Sequence, residues 1–512
     1  MGLPDQRILE NRMRTKKALL NTIAGLSYEA VALVCGMILP RLILSAFGSD
    51  YNGITNSISQ FLGCIALLRS GIAGVTRAAL YKPLAEQDNL KYSRILRATE
   101  IFMRKVALIF LGFICVFACV YPYFVRNDFD WLFTASLVFI LGISTFVQYY
   151  FGFTYQMILN ADQRQCVTSF VQIFTTILNT IVAYILIKCN VGIRGVKLGS
   201  AIVFALNPLF INYYAHKKYN ILRDVTPDNS AISQRWDAFA HQVANFVHSN
   251  TDIMVLTVFT NMKEVSVYSV YYLVINSITR LLRNSIPGIA AAFGDMMARG
   301  QKELMDRNFR LFELLVYTLA TVLFTITEIM LVPFVMLYTK GVYDVNYSRA
   351  GFALLISVAG FFSCARIPYQ HVVEAAGHYK QTKNGAFAEA ILNITISVAL
   401  VYKLGLVGVA IGTVAATIFR TFQYAIYLSK NILRRDCFVF VKHILLSALS
   451  AVLTYAVYSR IVWIENNSFL EWAMNACIVG VIVCVITAAI NLIFYKEDMA
   501  LFVKKIRNMF AK

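Results

Sequence analysis

The stretch LLRSGIAGVTRAAL, Leu67–Leu80, returns 214 positions later as LLRNSIPGIAAAFG, Leu281–Gly294. Leu67, Leu68, Arg69, Ile72, Gly74 and Ala78 fall on Leu281, Leu282, Arg283, Ile286, Gly288 and Ala292. The same offset lays Tyr155-Gln156 on Tyr369-Gln370 and Leu178-Asn179 on Leu392-Asn393. An offset one residue shorter lays Gly192, Gly195, Val196 and Gly199 on Gly405, Gly408, Val409 and Gly412. Matches strung over about 130 residues at nearly one offset mark an internal duplication. Its copies lie near 18–215 and 232–429, and each holds an arginine inside an apolar stretch.

Of the 512 residues, 58% are hydrophobic and 15% charged, more apolar surface than a water-soluble chain can hide. Apolar runs of about 20 residues recur from end to end, which is the length of a membrane-crossing helix. Hydrocarbon satisfies no backbone polar group, so the spans are helical and the fold class is all-α and polytopic. Spans are expected near 18–45, 51–80, 95–124, 131–159, 166–188 and 195–215 in the first copy. The second gives 236–260, 264–298, 308–338, 347–375, 383–403 and 406–429, and two more, near 438–460 and 470–495, have no partner in the repeat. The total is about fourteen. The expected division is a six-helix lobe over 1–215, a linker over 216–235, a second six-helix lobe over 236–429, and two last helices with a tail over 430–512.

The net charge of +19 would suit nucleic acid in a soluble protein. In a polytopic chain it reads as lysine and arginine retained on the cytoplasmic face. With the N-terminus inside, the inward connections carry about 29 of these residues and the outward ones about 9, so both termini are expected in the cytoplasm. Six spans per copy insert both copies the same way up, a parallel repeat with its binding site expected where the copies meet. The ten cysteines are scattered, with no CxxC and no metal-ligand spacing, and no metal is expected. The basic segment 1–17 leads into an apolar run without a cleavage site, which reads as a retained first span. No connection exceeds about 20 residues, so none supplies the soluble domain that a membrane glycosyltransferase or polymerase uses for its chemistry.

Nine cations remain inside or at the edges of the spans: Arg41, Arg69, Arg77, Arg104, Lys105, Arg280, Arg283, Arg366 and Arg420. Facing lipid at mid-span, each would cost about 2.5–3.5 kcal/mol or more. Arg77, Arg104, Lys105 and Arg420 lie near span ends, where long side chains snorkel to headgroups. Helical spacing gathers the others into polar faces. Tyr268, Tyr272, Asn276, Arg280 and Arg283 recur at three or four residues, as do His241, Asn245, His248 and Asp252, and Arg366, Gln370 and Glu374. In the first span Asn21, Gly25, Glu29, Ala32, Gly36 and Pro40 share a small-and-polar face, with Tyr28 beside it and Arg41 near its end. Guanidinium forks in low dielectric bind phosphate oxygens bidentately. Arg41, Arg69, Arg280, Arg283 and Arg366 are therefore the expected substrate-binding residues. Asn21, Tyr28, Asn245, His248, Tyr272, Asn276 and Gln370 are the expected cavity lining. The glycine pairs that begin corresponding spans, Gly192 with Gly195 and Gly405 with Gly408, read as close helix packing. Pro40, Pro287 and Pro368 read as kinks.

Three groups of segments resemble polysaccharide-export flippases, the Wzx-like branch of the multidrug/oligosaccharidyl-lipid/polysaccharide exporter superfamily. They are RLILSAFGSDYNGI (Arg41–Ile54), YQMILNADQR (Tyr155–Arg164) with its copy YQHVVEAAGHYKQ (Tyr369–Gln381), and GLVGVAIGTVAATI (Gly405–Ile418) with its copy GIRGVKLGSAIV (Gly192–Val203). The resemblance covers about residues 14–430 and, more loosely, the last two spans. It implies two six-helix lobes that alternate between inward- and outward-open states in the inner membrane. The implied cargo is an oligosaccharide on an undecaprenyl-pyrophosphate carrier, an O-antigen, capsule or exopolysaccharide unit, with a polysaccharide polymerase as a possible partner. No bond is made or broken, so no enzyme and no cofactor are expected. Coupling to H+ or Na+ is plausible in this superfamily; Glu29, Asp252 and Glu374 are the carboxylates that could exchange charge for a proton. The alternatives within the fold are a lipid II flippase and a multidrug/cation antiporter. The latter would want an acidic or aromatic cavity.

Overall fold

The computed structural model describes residues 3–125, 127–232, 250–284, 287–461 and 465–510. Among these every regular element is helical. The chain runs α1 (Leu3–Phe47), α2 (Ser49–Leu62), α3 (Ile65–Ala85), α4 (Asn89–Phe124) and α5 (Trp131–Val147), which passes through a π-turn at Gln148–Gly152 into α6 (Phe153–Ala161). Then come α7 (Gln165–Lys188), α8 (Ile193–Lys218), α9 (described over Asn250–Phe259), α10 (Met262–Asn284) and α11 (Pro287–Ala298). The last part is α12 (Lys302–Tyr338), α13 (Ala350–Ala365), α14 (Ile367–Ala375), α15 (Tyr379–Leu404), α16 (Leu406–Leu428), α17 (Phe438–Tyr458), α18 (Phe469–Phe494) and α19 (Lys496–Phe510).

Local chemistry sets several of these starts. Asp88 caps α4 by accepting from the Lys91 amide at 2.9 Å, and Asp130 caps α5 by accepting from the Leu132 amide at 3.2 Å. Ser468 and Glu471 form a reciprocal capping box at the start of α18. Twelve spans among the described residues are long and apolar enough to cross a membrane. Their outer faces are apolar: Ile109 is 70% exposed, Leu132 66% and Leu470 72%, which in water would be an aggregation surface and in lipid is the solvated face.

Two of the fourteen expected spans fall outside these twelve. The second, 51–80, is broken at Gly63-Cys64 into α2 and α3. The reason is local. α2 is rich in hydroxyls and amides, and these bond back onto its own turns: Thr55 Oγ1 to the Tyr51 carbonyl at 3.0 Å and Ser59 Oγ to the Thr55 carbonyl at 2.7 Å. The seventh, 236–260, is described only over α9. The first helix also starts earlier than expected, at Leu3, because the polar segment 1–17 continues the same helix as the span. Pro40 lies inside α1, whereas Pro368 sits in the first turn of α14, where a missing amide hydrogen costs nothing; the two residues before Pro287 lie outside the described ones.

The chain divides into two compact units, one of Met1–Asn250 with Asn261–Ser266, the other of Thr251–Thr260 with Val267–Lys512. In the first unit α1 packs on α7, α7 on α8 and α4 on α5. The connection after α8 is tied to the start of α4: the Leu222 amide donates to Ser93 Oγ at 3.1 Å and Tyr92 Oη to the Asn220 carbonyl at 3.0 Å. Asp162, between α6 and α7, gathers Lys17 Nζ (3.2 Å), Arg164 Nε (2.6 Å) and Tyr219 Oη (2.8 Å). Partial burial pushes its carboxyl upward, but these three donors outweigh it and hold the group below its ordinary value.

In the second unit α15 and α16 are the most closely paired helices. Gly405 links them with φ +53°, a conformation that side-chain-bearing residues rarely adopt. A Cβ at Gly408 would stand 2.6 Å from the Leu400 carbonyl oxygen, so the glycine sets the approach of the two backbones. The helices without a repeat partner, α17 and α18, pack on each other and on α12. Polar bonds fix them there: Thr321 Oγ1 to Ser447 Oγ at 2.8 Å, Asn491 Nδ2 to Thr318 Oγ1 at 2.8 Å, and Trp472 Nε1 to the Met330 carbonyl at 3.0 Å. The end of the chain is a further helix, α19, charged along one side.

Replacing Gly408 by Val forces α15 and α16 apart and should cost about 1–3 kcal/mol. Gly36→Ala, where a new Cβ meets nothing within 4 Å, should be near neutral. Thermal unfolding of both variants in one detergent measures the difference.

Candidate functional site

The second unit buries an acid whose described partners are neutral side chains. Asp252 on α9 is 6% exposed. Its Oδ2 accepts from Tyr268 Oη on α10 at 2.8 Å and from Thr413 Oγ1 on α16 at 2.7 Å, and its Oδ1 accepts from Asn393 Nδ2 on α15 at 3.2 Å. Ser397 Oγ donates to Asn393 Oδ1 at 3.0 Å and also lies 3.3 Å from the Val409 carbonyl. Thr413 Oγ1 is 3.2 Å from the same carbonyl. A carboxylate, an amide, three hydroxyls and a backbone carbonyl thus converge from four helices. Gly412 makes this possible, since a Cβ there would stand 2.2 Å from Ser397 Oγ. Hydroxyls and the amide can turn their oxygens inward, so the set suits a hard monovalent cation or a proton on the carboxyl.

Two charge networks lie in the same unit. Glu389 on α15 is 5% exposed and receives Arg366 Nη1 at 2.7 Å and Arg420 Nε at 3.5 Å. Arg420 spends its remaining donors on the Thr382 carbonyl (2.8 Å), Gln423 and Tyr424 Oη (3.0 Å). Glu313 on α12 is fully buried and accepts from Tyr369 Oη at 2.6 Å and from both Nη atoms of Arg435, one at 2.7 Å. His443 on α17 lies 3.7 Å from Glu313, is stacked between Tyr317 and Tyr495, and shares a 2.9 Å hydrogen bond with Tyr495 Oη. This second network ties α12, α14, α17 and the end of α18 to the loop that carries Arg435.

The sequence matches no protein-family profile and no curated protein. Solved structures do match. The lipid II flippase MurJ in an inward closed conformation aligns over 94% of this chain and 99% of its own, with a TM-score of 0.67 at 15% identity. The inward-facing form of a multidrug-resistance MATE transporter of the MOP superfamily aligns over 80% and 98%, with a TM-score of 0.55 at 13% identity. The eukaryotic MATE transporter AtDTX14 aligns over 81% and 95%, with a TM-score of 0.56 at 13% identity. The chain has the fold of the MOP exporter superfamily. It is a multi-pass membrane protein.

Within this MOP fold the residues picked from sequence have distinct surroundings. Arg366 was expected to bind substrate; it is buried against Glu389, which absorbs its charge. Arg420 was expected to snorkel at a span end; it is 5% exposed, because the same glutamate compensates two guanidiniums. Arg283 is exposed on α10, with Nη2 3.1 Å from Ser363 Oγ, and Arg280 one turn earlier is exposed as well. Tyr272 is half-buried, its ring stacked on Tyr268 at 5.5 Å, and Asn276 is half-buried one turn on. Gln370 Nε2 donates to Glu374 Oε1 at 2.7 Å, so this lining residue and this coupling acid are partners of each other.

On α1, Asn21 clamps the turn between α6 and α7, donating to the Gln163 carbonyl at 2.9 Å and accepting from the Cys166 amide at 2.8 Å. That accounts for its amide without a cavity. Tyr28 and Arg41 are half-buried and Glu29 is exposed. Asn245 and His248 lie outside the described residues, and Arg69 has only its backbone described, in α3. Glu389 and Glu313 carry no short-range sequence signal, since their partners stand 23 and more than 50 residues away. Asn393 did carry one, as the repeat partner of Asn179.

Glu389→Gln leaves Arg366 and Arg420 buried without a carboxylate and should destabilise the fold by about 3–5 kcal/mol. Arg283→Ala removes an exposed group and should cost under about 1 kcal/mol. Unfolding midpoints of the two purified variants separate the structural arginines from the accessible one.

Proposed function

We propose that this chain is a membrane flippase that moves a lipid-linked oligosaccharide, an undecaprenyl-pyrophosphate-borne repeat unit of a surface polysaccharide, from the cytoplasmic to the outer leaflet by alternating access. The inner membrane is its site, with both termini in the cytoplasm. The observation that carries the reading is the extent of the structural match. The MATE chain of the second comparison is matched over 98% of its length, yet 20% of this chain is left over; the lipid II flippase leaves only 6%. A chain built to that longer plan, with α17 and α18 bonded to α12, favours a lipid-borne cargo over a soluble drug. The exposed guanidiniums of Arg280 and Arg283 are suited to the pyrophosphate. Polymerisation of the delivered units would fall to a separate protein.

Asp252 with Asn393, Ser397, Thr413 and the Val409 carbonyl is the proposed coupling site, taking Na+ or H+ and so joining transport to an ion gradient. Of the three acids singled out in sequence, it alone pairs deep burial with several oxygen partners from other helices. Glu29 is exposed and Glu374 is engaged by Gln370.

Deleting the gene should abolish a surface polysaccharide and cause lipid-linked repeat units to accumulate inside. Wild type should restore both, whereas Asp252→Asn and Arg283→Ala, at matched membrane levels, should restore less than about a tenth of the export. Normal polysaccharide in the deletion strain, with new sensitivity to cationic drugs, would replace this reading by a multidrug antiporter. A defect in cell-wall precursor export would replace it by a lipid II flippase.

A further inference from the structure

The first unit contains a cavity of about 320 Å³ with Lys197 on its wall. The same cavity is lined by Ser144, Gln148, Asn179 and Ser200, with apolar residues such as Leu39 and Phe204 closing the rest. Among the described residues no aspartate, glutamate or arginine lines it. Lys197 makes no hydrogen bond or ion pair among the described residues, and Asn179, 3% exposed, lines the same cavity. Lys197 lies in the first turns of α8, a membrane-length helix.

The internal repeat gives this cavity its meaning. Asn179 corresponds to Asn393 and Ser200 to Thr413, both members of the Asp252 cluster. The position of Asp252 is taken by Ile38, that of Ser397 by Ala183, and Lys197 replaces Ala410. The first unit has kept an amide and a hydroxyl, dropped the carboxylate and added a cation. An ammonium on the wall of a largely apolar cavity, with no acid among the described lining residues, is costly unless an anion joins it. Amide NH2 groups and hydroxyls are the neutral donors that would complete such a shell. One positive charge balances a monovalent anion; a phosphate dianion would leave the cavity net negative.

We propose that Lys197, Asn179 and Ser200 form a binding site for a small inorganic monoanion of the chloride class, the charge-inverted counterpart of the Asp252 cluster. The site is independent of the cargo assigned above.

The test uses the purified full-length protein and its thermal unfolding midpoint. Sodium chloride is titrated against sodium gluconate, so that sodium and ionic strength stay constant. Chloride should raise the wild-type midpoint in a saturable way, and Lys197→Arg should keep the response. Lys197→Met should lose it, and Ser200→Ala should need about tenfold more chloride for half the effect. A wild-type protein indifferent to chloride, or an equal response in Lys197→Met, overturns the proposal. Should Lys197→Met not fold, the Ser200→Ala titration decides: an unchanged half-point overturns the site.

Discussion

A charge carried into hydrocarbon has no water to turn to, so it must find its compensation inside the protein, and much of the polar interior follows from that. Glu389 lies against two arginines from different helices, and Glu313 holds Arg435 and a tyrosine hydroxyl. Neither network adds stability relative to a well-packed apolar core, because desolvation consumes most of the Coulombic gain. What they fix is register. Arg366 lies at the break between α13 and α14, and its bond to α15 sets how that break is held. Arg435 sits just after a left-handed residue, Arg434, and its bond to α12 anchors the loop leading into the last two membrane helices.

The same constraint made the fold legible in sequence. Hydrocarbon admits long apolar helices and little else, so hydropathy alone located ten expected spans that became single helices or simple pairs, plus both unpaired helices at the end. The repeat then identified which helices correspond. Where local chemistry competed with hydropathy, the reading failed. α2 carries too many hydroxyls and amides to count as apolar, and a break at Gly63-Cys64 turned one expected span into two helices. The segment before Ala18 was polar enough to pass for a loop, although nothing in it interrupts the helix that begins at Leu3.

The site was less legible, because spacing reports which residues share a face and says nothing of what lies opposite. The run through Arg366, Gln370 and Glu374 is a real helical face. Its first member is consumed by Glu389 on another helix, and its other two by each other. Asn21 has the spacing of a cavity residue and works as a clamp on two backbone groups. Asp252 was readable as a buried acid at helical spacing, yet its partners on α15 and α16 stand more than 140 residues away in the chain.

Duplication explains how such sites arise without changing the fold. Two copies of one helical pattern begin with the same amide and hydroxyl positions, Asn179 and Ser200 in one and Asn393 and Thr413 in the other. Those groups are amphoteric: each can donate or accept, and so commits to neither sign of ligand. The sign is set by a single charged side chain placed among them, a carboxylate on α9 in one unit and an ammonium on α8 in the other. Changing it requires no new backbone, because the glycines that draw corresponding helices together, Gly199 in the first copy and Gly412 in the second, are present in both. In a membrane, where an unmatched charge is the dominant cost, the choice of that one residue outweighs the rest of the shell in deciding what each cluster can hold.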